Sequence, residues 1–167
     1  MEAATTPLAR QVHDVPAAIR SLDAIRRAGY VDVFVVPAAA EGSPEEWART
    51  LVERGAGTRG QFVWRVLMGL RLDARPSPDR IGGWRIAERD DSWIRIEASS
   101  WCATAHIVVH VGGGEVVAAT ALHYDRPIAE PLWLPIAAGH RRAMPRLLRF
   151  AARHRNKSAT EGGSRGS

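Results

Sequence analysis

The stretch WCATAHIVVHVGGGEVVAATALHY, residues 101–124, alternates with period two on both sides of three glycines. Trp101, Ala103, Ala105, Ile107, Val109 and Val111 share one face. Cys102, Thr104, His106 and His110 share the other, with Val108 among them. That pattern predicts an antiparallel hairpin with one core face and one wetter face, turned at Gly112-Gly113-Gly114. On the partner strand, Val116, Ala118, Thr120, Leu122 and Tyr124 are assigned inward, because exposing Leu122 and Tyr124 in order to bury His123 is the worse trade. The expected register sets Tyr124 opposite Trp101. It also brings Cys102 and His123 together on the outer face, with Cβ atoms about 5 Å apart.

Outward from the hairpin, WRIAER (84–89) and SWIRIEAS (92–99) read as two more strands turning at Asp90-Asp91. VDVFVVP (31–37) reads as an earlier strand stopped by Pro37. Five strands are legible in this way. Asp14 begins a short helix through about Ala28, with Pro16 in its first turn and Gly29 at its end. In SPEEWARTLVERG, Ser43 is an N-cap, Pro44 the first helical residue and Gly55 the stop. QFVWRVLMGLRL follows as a second helix, and 73–83 as a Pro/Gly-rich connector. One long helix is expected from about Pro127 to Arg155, bent by Pro131, Pro135 and Pro145. The fold class is therefore α+β. Residues 1–29 form a lead and short helix, 30–155 the main domain, and 156–167 a disordered tail.

GAGTRG (55–60) matches a dinucleotide fingerprint letter for letter. The motif works between a strand and a helix of a βαβ unit. Here it follows an amphipathic helix, so a helix stop and turn is the better reading. VGGGEV lacks the Lys-Ser/Thr of a phosphate loop. No cofactor is expected. His106 and His110 lie about 13 Å apart along one strand, too far to share a metal.

The net charge of +5 belongs to the C-terminal segment: residues 131–167 carry eight Lys/Arg and one acid. A solvated helix face is the plain reading, with a polyanion the alternative. Exposed stacking aromatics and a recognised binding fold are not evident, which disfavours nucleic acid. The one cysteine, Cys102, excludes an internal disulfide framework and fits a reducing cytosol. No leader-like or membrane-spanning apolar run is read, so the expected location is cytoplasmic.

GWRIAER, SSWCATAHIVV, TALHYDRP and LWLPIAAGHRRAMPRLLRFAARH together resemble a bacterial family of unknown function in the helix-grip superfamily. That superfamily contains START-like, plant-allergen-like and polyketide-cyclase-like proteins. The resemblance covers about residues 30–155 and implies a curved sheet gripping the long helix, often around an apolar cavity. Relatives are often fused to an NAD(P)-binding, epimerase-like domain, so a protein of that kind is an expected partner. The Rossmann half is missing from this chain, and no redox role is carried over.

On the last helix, Ile136, His140, Met144, Leu147, Leu148 and Ala151 form one stripe. His140 therefore points at the sheet. The plain reading is a core histidine bonded to Tyr124, Thr120 or a backbone carbonyl. The functional reading is a polar anchor or an acid/base, for which Glu97, Asp125 and Glu130 are orienting carboxylates by default alone. Trp84, Trp101, Thr120, Tyr124, Ile136, His140 and Met144 are the candidate ligand-binding residues, set against the commoner role of aromatics as plain core. The leading expectation is a carrier, sensor or accessory subunit binding a small apolar ligand. The alternatives are a cyclase- or dehydratase-type enzyme using His140, and an interaction module acting through the basic helix.

Overall fold

The computed structural model describes residues 8–37 and 42–163. Seven antiparallel strands form one sheet in the order β1-β2-β7-β6-β5-β4-β3. They are β1 (Arg10–Val12), β2 (Tyr30–Pro37), β3 (Arg80–Ile81), β4 (Trp84–Arg89), β5 (Trp93–Ser99), β6 (Ala103–Gly112) and β7 (Glu115–Tyr124). The long helix, α5 (Ala129–Gly163), lies across the inner face. This is the α+β helix-grip arrangement expected from the sequence.

The β6–β7 turn is Gly113-Gly114, with φ of 61° and 76°. Two consecutive positive φ values make a tight hairpin that side-chain-bearing residues resist. Gly112 therefore pairs with Glu115, and Ala103 rather than Trp101 faces Tyr124. The expected register is off by two residues, which leaves every face assignment intact. Ala105, Ile107, Val109, Val116, Ala118 and Leu122 join the inner core as assigned.

The outer face is drier than alternation suggests. Val33, Val35, Val108, Val117, Ala119 and Ala121 are buried there beneath Ile19 and Ile25. Those two come from α1 (Ala17–Arg20) and α2 (Asp23–Arg26), two short turns in place of one continuous helix. Residues 10–12, expected in the lead, add the edge strand β1. Arg80 and Ile81, expected in the connector, add β3, which makes seven strands where five were legible.

Ser43 caps α3 (Pro44–Arg49) through a reciprocal capping box with Glu46. Gly55 does not stop the helix. The chain continues in wide π-type turns over Thr50–Ala56, then α4 (Gly57–Phe62) and further π-type turns over Val63–Leu67. GAGTRG thus lies inside a helical run, with Gly57 at φ 50°. This run closes one end of the sheet: Gln61 donates to the Gly82 carbonyl (2.9 Å), and Gly82 N–H donates to Glu53 (3.0 Å). The long helix passes through Pro135 and Pro145 and continues beyond Arg155 to Gly163, across the first part of the expected tail. Its buried line is Trp133, Ala137, Met144, Leu148, Ala151 and Ala152, while Ile136, His140 and Leu147 flank it half-buried.

Gly29 joins α2 to β2 directly beneath the Tyr124 ring, where a Cβ would lie 2.5 Å from Cδ2 and 2.8 Å from Cε2. The ring body has little room to move. Gly29→Ala is expected to destabilise the fold by about 1–3 kcal/mol, as overpacking does. Denaturant unfolding checks this, and a loss below a few tenths of a kcal/mol would refute the close approach.

Candidate functional site

The inner face of β2 carries Tyr30, Asp32, Phe34 and Val36. Asp32 is 3% exposed. It sits opposite Thr120 of β7 and beneath α5. A buried carboxylate is costly unless donors reach it. Tyr30 Oη donates to Asp32 Oδ2 at 2.8 Å, and His140 Nε2 lies 3.2 Å from the same oxygen. Arg141 donates to Tyr30 Oη at 3.1 Å, extending the chain of bonds to the surface. Burial, and then the charge and hydrogen bond of Asp32, hold the Tyr30 phenol well above the usual tyrosine range, against the opposing pull of Arg141. Trp133 closes the cluster, its ring centroid 5.2 Å from Tyr30 and 5.6 Å from His140.

His140 thus points at the sheet as its stripe implies, but its partner is Asp32 rather than Tyr124, Thr120 or a backbone carbonyl. The three default carboxylates are elsewhere. Glu97 pairs with Arg85 and Arg95, Asp125 accepts from Thr104, and Glu130 is exposed. The signal for Asp32 was present: it is the one acid in VDVFVVP, in phase with Phe34 and Val36.

The candidate ligand residues separate into groups. Trp101 and Ile136 line a cavity of about 100 Å³ between the end of the sheet and α5, with Met68, Leu122, Leu132 and Trp133. Thr120 and His140 belong to the Asp32 cluster. Trp84 packs against Trp64 at 5.3 Å, away from both. Met144 is core. Tyr124 packs against Cys102, Ala103 and Ala129. Burial, and then Glu130, raise its pKa.

A second, polar cleft of about 450 Å³ opens on the outer face, lined by Asp23, Arg27, Glu88, Arg95, His106 and His123. Arg95 donates to Glu97 (2.7 Å) and Glu88 (3.2 Å) and lies 3.0 Å from His106 Nδ1. That nitrogen therefore accepts, which puts the proton on Nε2, and Nε2 is buried with no hydrogen-bond partner in the protein. Burial, with the His123 and Arg95 charges, lowers the His106 pKa to about 4, against Glu97 and Asp125. The corrected register sets Thr104, not Cys102, opposite His123. His123 instead reaches the Ala24 carbonyl (2.9 Å), and its ring lies 4.7 Å from that of His106. The Cys102–His123 juxtaposition does not form. Among the described residues, no group of three or more His, Cys, Asp or Glu could hold a metal ion, and no helix is long and apolar enough to cross a membrane.

Comparison with known proteins returns no matching family model, no matching curated protein and no matching solved structure.

Removing His140 leaves Asp32 buried with Tyr30 as its remaining side-chain hydrogen-bond partner. His140→Ala is expected to cost about 1–3 kcal/mol, and Asp32→Asn in the same background should recover part of it. A double-mutant cycle by urea unfolding reads the coupling; additivity of the two changes would refute the pair.

His106 predicts a second effect. Its folded pKa is lowered, so its contribution is intact above about pH 6.5, the unfolded value. As pH falls towards about 4, the unfolded chain takes up a proton that the folded one refuses, and stability drops by on the order of 3 kcal/mol. His106→Asn keeps an acceptor for Arg95 and should flatten this limb. Identical pH–stability curves for the two proteins would contradict the assignment.

Proposed function

We propose that the protein binds a small, largely apolar ligand at the end of the grip between sheet and long helix, as a carrier, a sensor or a subunit assisting another enzyme. The observation that carries this reading is the wall and rim of the inner cavity. Trp101, Leu122, Trp133 and Ile136 line it. Trp101 (53% exposed), Val66 (61%) and Leu67 (54%) leave large apolar surfaces open around its mouth. Contiguous exposed apolar residues beside an apolar cavity mark a binding site more often than waste surface.

Size limits the ligand. An apolar cavity of about 150 Å³ holds benzene, and whole drug-sized ligands fill about 300–1,000 Å³. A cavity of about 100 Å³ takes one end of a molecule, a short alkyl chain or the edge of a ring, while the remainder lies along Trp101, Val66 and Leu67.

Acid–base chemistry at His140 is the second reading, and Asp32 supports it by supplying the orienting carboxylate that such a histidine needs. Against it, His140 lines neither the inner cavity nor the outer cleft.

The two readings part on a pair of variants. Ile136→Trp fills the cavity and is expected to abolish thermal stabilisation by short linear alcohols and small aromatic solutes, while His140→Gln keeps most of it. At a hundredfold excess over Kd, binding stabilises by about 2.7 kcal/mol, a readily measured rise in Tm. Absence of any shift for the unmodified protein across the series would sink the binding proposal.

A further inference from the structure

We infer that the face carrying the cavity mouth docks on an anionic lipid bilayer, with the long helix lying in the headgroup plane. This rests on the ligand-binding reading and deepens it by naming where the ligand is met.

Three separated segments bring apolar side chains to this rim. Val66 and Leu67 come from the turns after α4, Trp101 from the β5–β6 connection, and Leu132 from the first turn of α5. All four are exposed, as is Ile128, one turn before Leu132 on the same side of the helix. The same side turns basic further along. Arg146 lies about 21 Å beyond Leu132 at 1.5 Å per residue, within about half a right angle of it around the axis. Arg142 and Arg149 flank Arg146, one turn before and three residues after. No carboxylate among the described residues pairs with these three. From 131 to 157 the sequence has seven Lys/Arg and no acid. At the rim, Arg126 lies over the Trp101 ring at 5.9 Å, and Arg65 is exposed. The nearby acids are Glu130, which is exposed, and Asp125, which takes a hydrogen bond from Thr104.

A bilayer surface asks for this combination: aliphatic and tryptophan side chains that enter the acyl boundary, and cations at headgroup depth beside them. Nucleic acid would use the charge but gain nothing from Val66, Leu67, Ile128 and Leu132, which have no ring to stack on a base. Docking in this orientation sets the cavity mouth against the lipid, where an apolar ligand can pass without crossing water.

Co-sedimentation with vesicles tests the inference. The full chain is expected to bind a phosphatidylcholine–phosphatidylserine mixture, to bind phosphatidylcholine alone far more weakly, and to be released by salt. The triple variant Arg142→Gln, Arg146→Gln, Arg149→Gln should lose about tenfold or more in affinity, and Leu132→Ser should weaken binding at low and high salt alike. Arg142, Arg146 and Leu132 are exposed and Arg149 is half-buried, so an unchanged Tm is the check that the variants fold. Ile136→Trp should leave vesicle binding intact while blocking ligand uptake, which separates failure of docking from failure of the ligand reading. Equal affinity for both vesicle types, no binding at low salt, an unaffected triple variant, or tighter binding to a single-stranded polyribonucleotide or a protein partner than to vesicles would each overturn it.

Discussion

A carboxylate cannot be left bare beneath an apolar helix, and this molecule is organised around that constraint at Asp32. Its two donors come from opposite ends of the chain: Tyr30 from the same strand and His140 from 108 residues further on. The apolar stripe of α5 fixes which side faces the sheet, but small buried residues such as Ala137, Ala151 and Ala152 tolerate sliding and rotation. The polar pair does not. Turning the helix by one residue, about 100°, would carry His140 away from the carboxylate and leave it unpaired. We regard the Asp32–His140 pair as the element that selects one seating of the helix among several of similar apolar burial, a specificity role that buried polar pairs fill in other folds.

Trp133 links this clamp to the cavity. It touches Tyr30 and lies beside His140 on one side, and it forms cavity wall on the other. The position of the helix therefore sets the position of the wall. A ligand end inserted beside Ile136 would press on the same ring that packs against the clamp. Rigid packing transmits such a displacement, so the polar cluster can serve binding without touching the ligand.

Much of this was legible in the sequence, for identifiable reasons. Alternation in 101–124 decided the faces, and Ser43-Pro44 with Glu46 marked a helix start, because both signals are local. The register slipped by two because three consecutive glycines permit two tight turns, and alternation cannot tell them apart. β1 and β3 were missed because strands of three and two residues, bearing Arg10, Gln11 and Arg80, have no pattern to show. Their pairing is imposed by longer neighbours. The partner of His140 was missed because proximity across 108 residues is a property of topology. The lone acid of VDVFVVP was the one local hint. The candidate ligand residues separate for a similar reason: Trp101 and Ile136 line the inner cavity, whereas Trp84 on β4 is aromatic core against Trp64.

The outer face follows a different logic. The outer layer is two helices of four residues each, far too short to persist alone. They stay because Ala119 and Ala121 let Ile19 and Ile25 approach the sheet closely, and because His123 bonds the Ala24 carbonyl. Next to that bond, the neutral His106 accepts from Arg95, which is itself held by Glu88 and Glu97. A proton on His106 would remove the acceptor and set a cation against both Arg95 and the neighbouring imidazole. The two faces of one sheet thus hold polar groups on opposite terms. Inside, a charge is kept dry and the helix is placed by it. Outside, a histidine is kept uncharged so that arginine, carboxylates and a marginal helical layer can share one cleft.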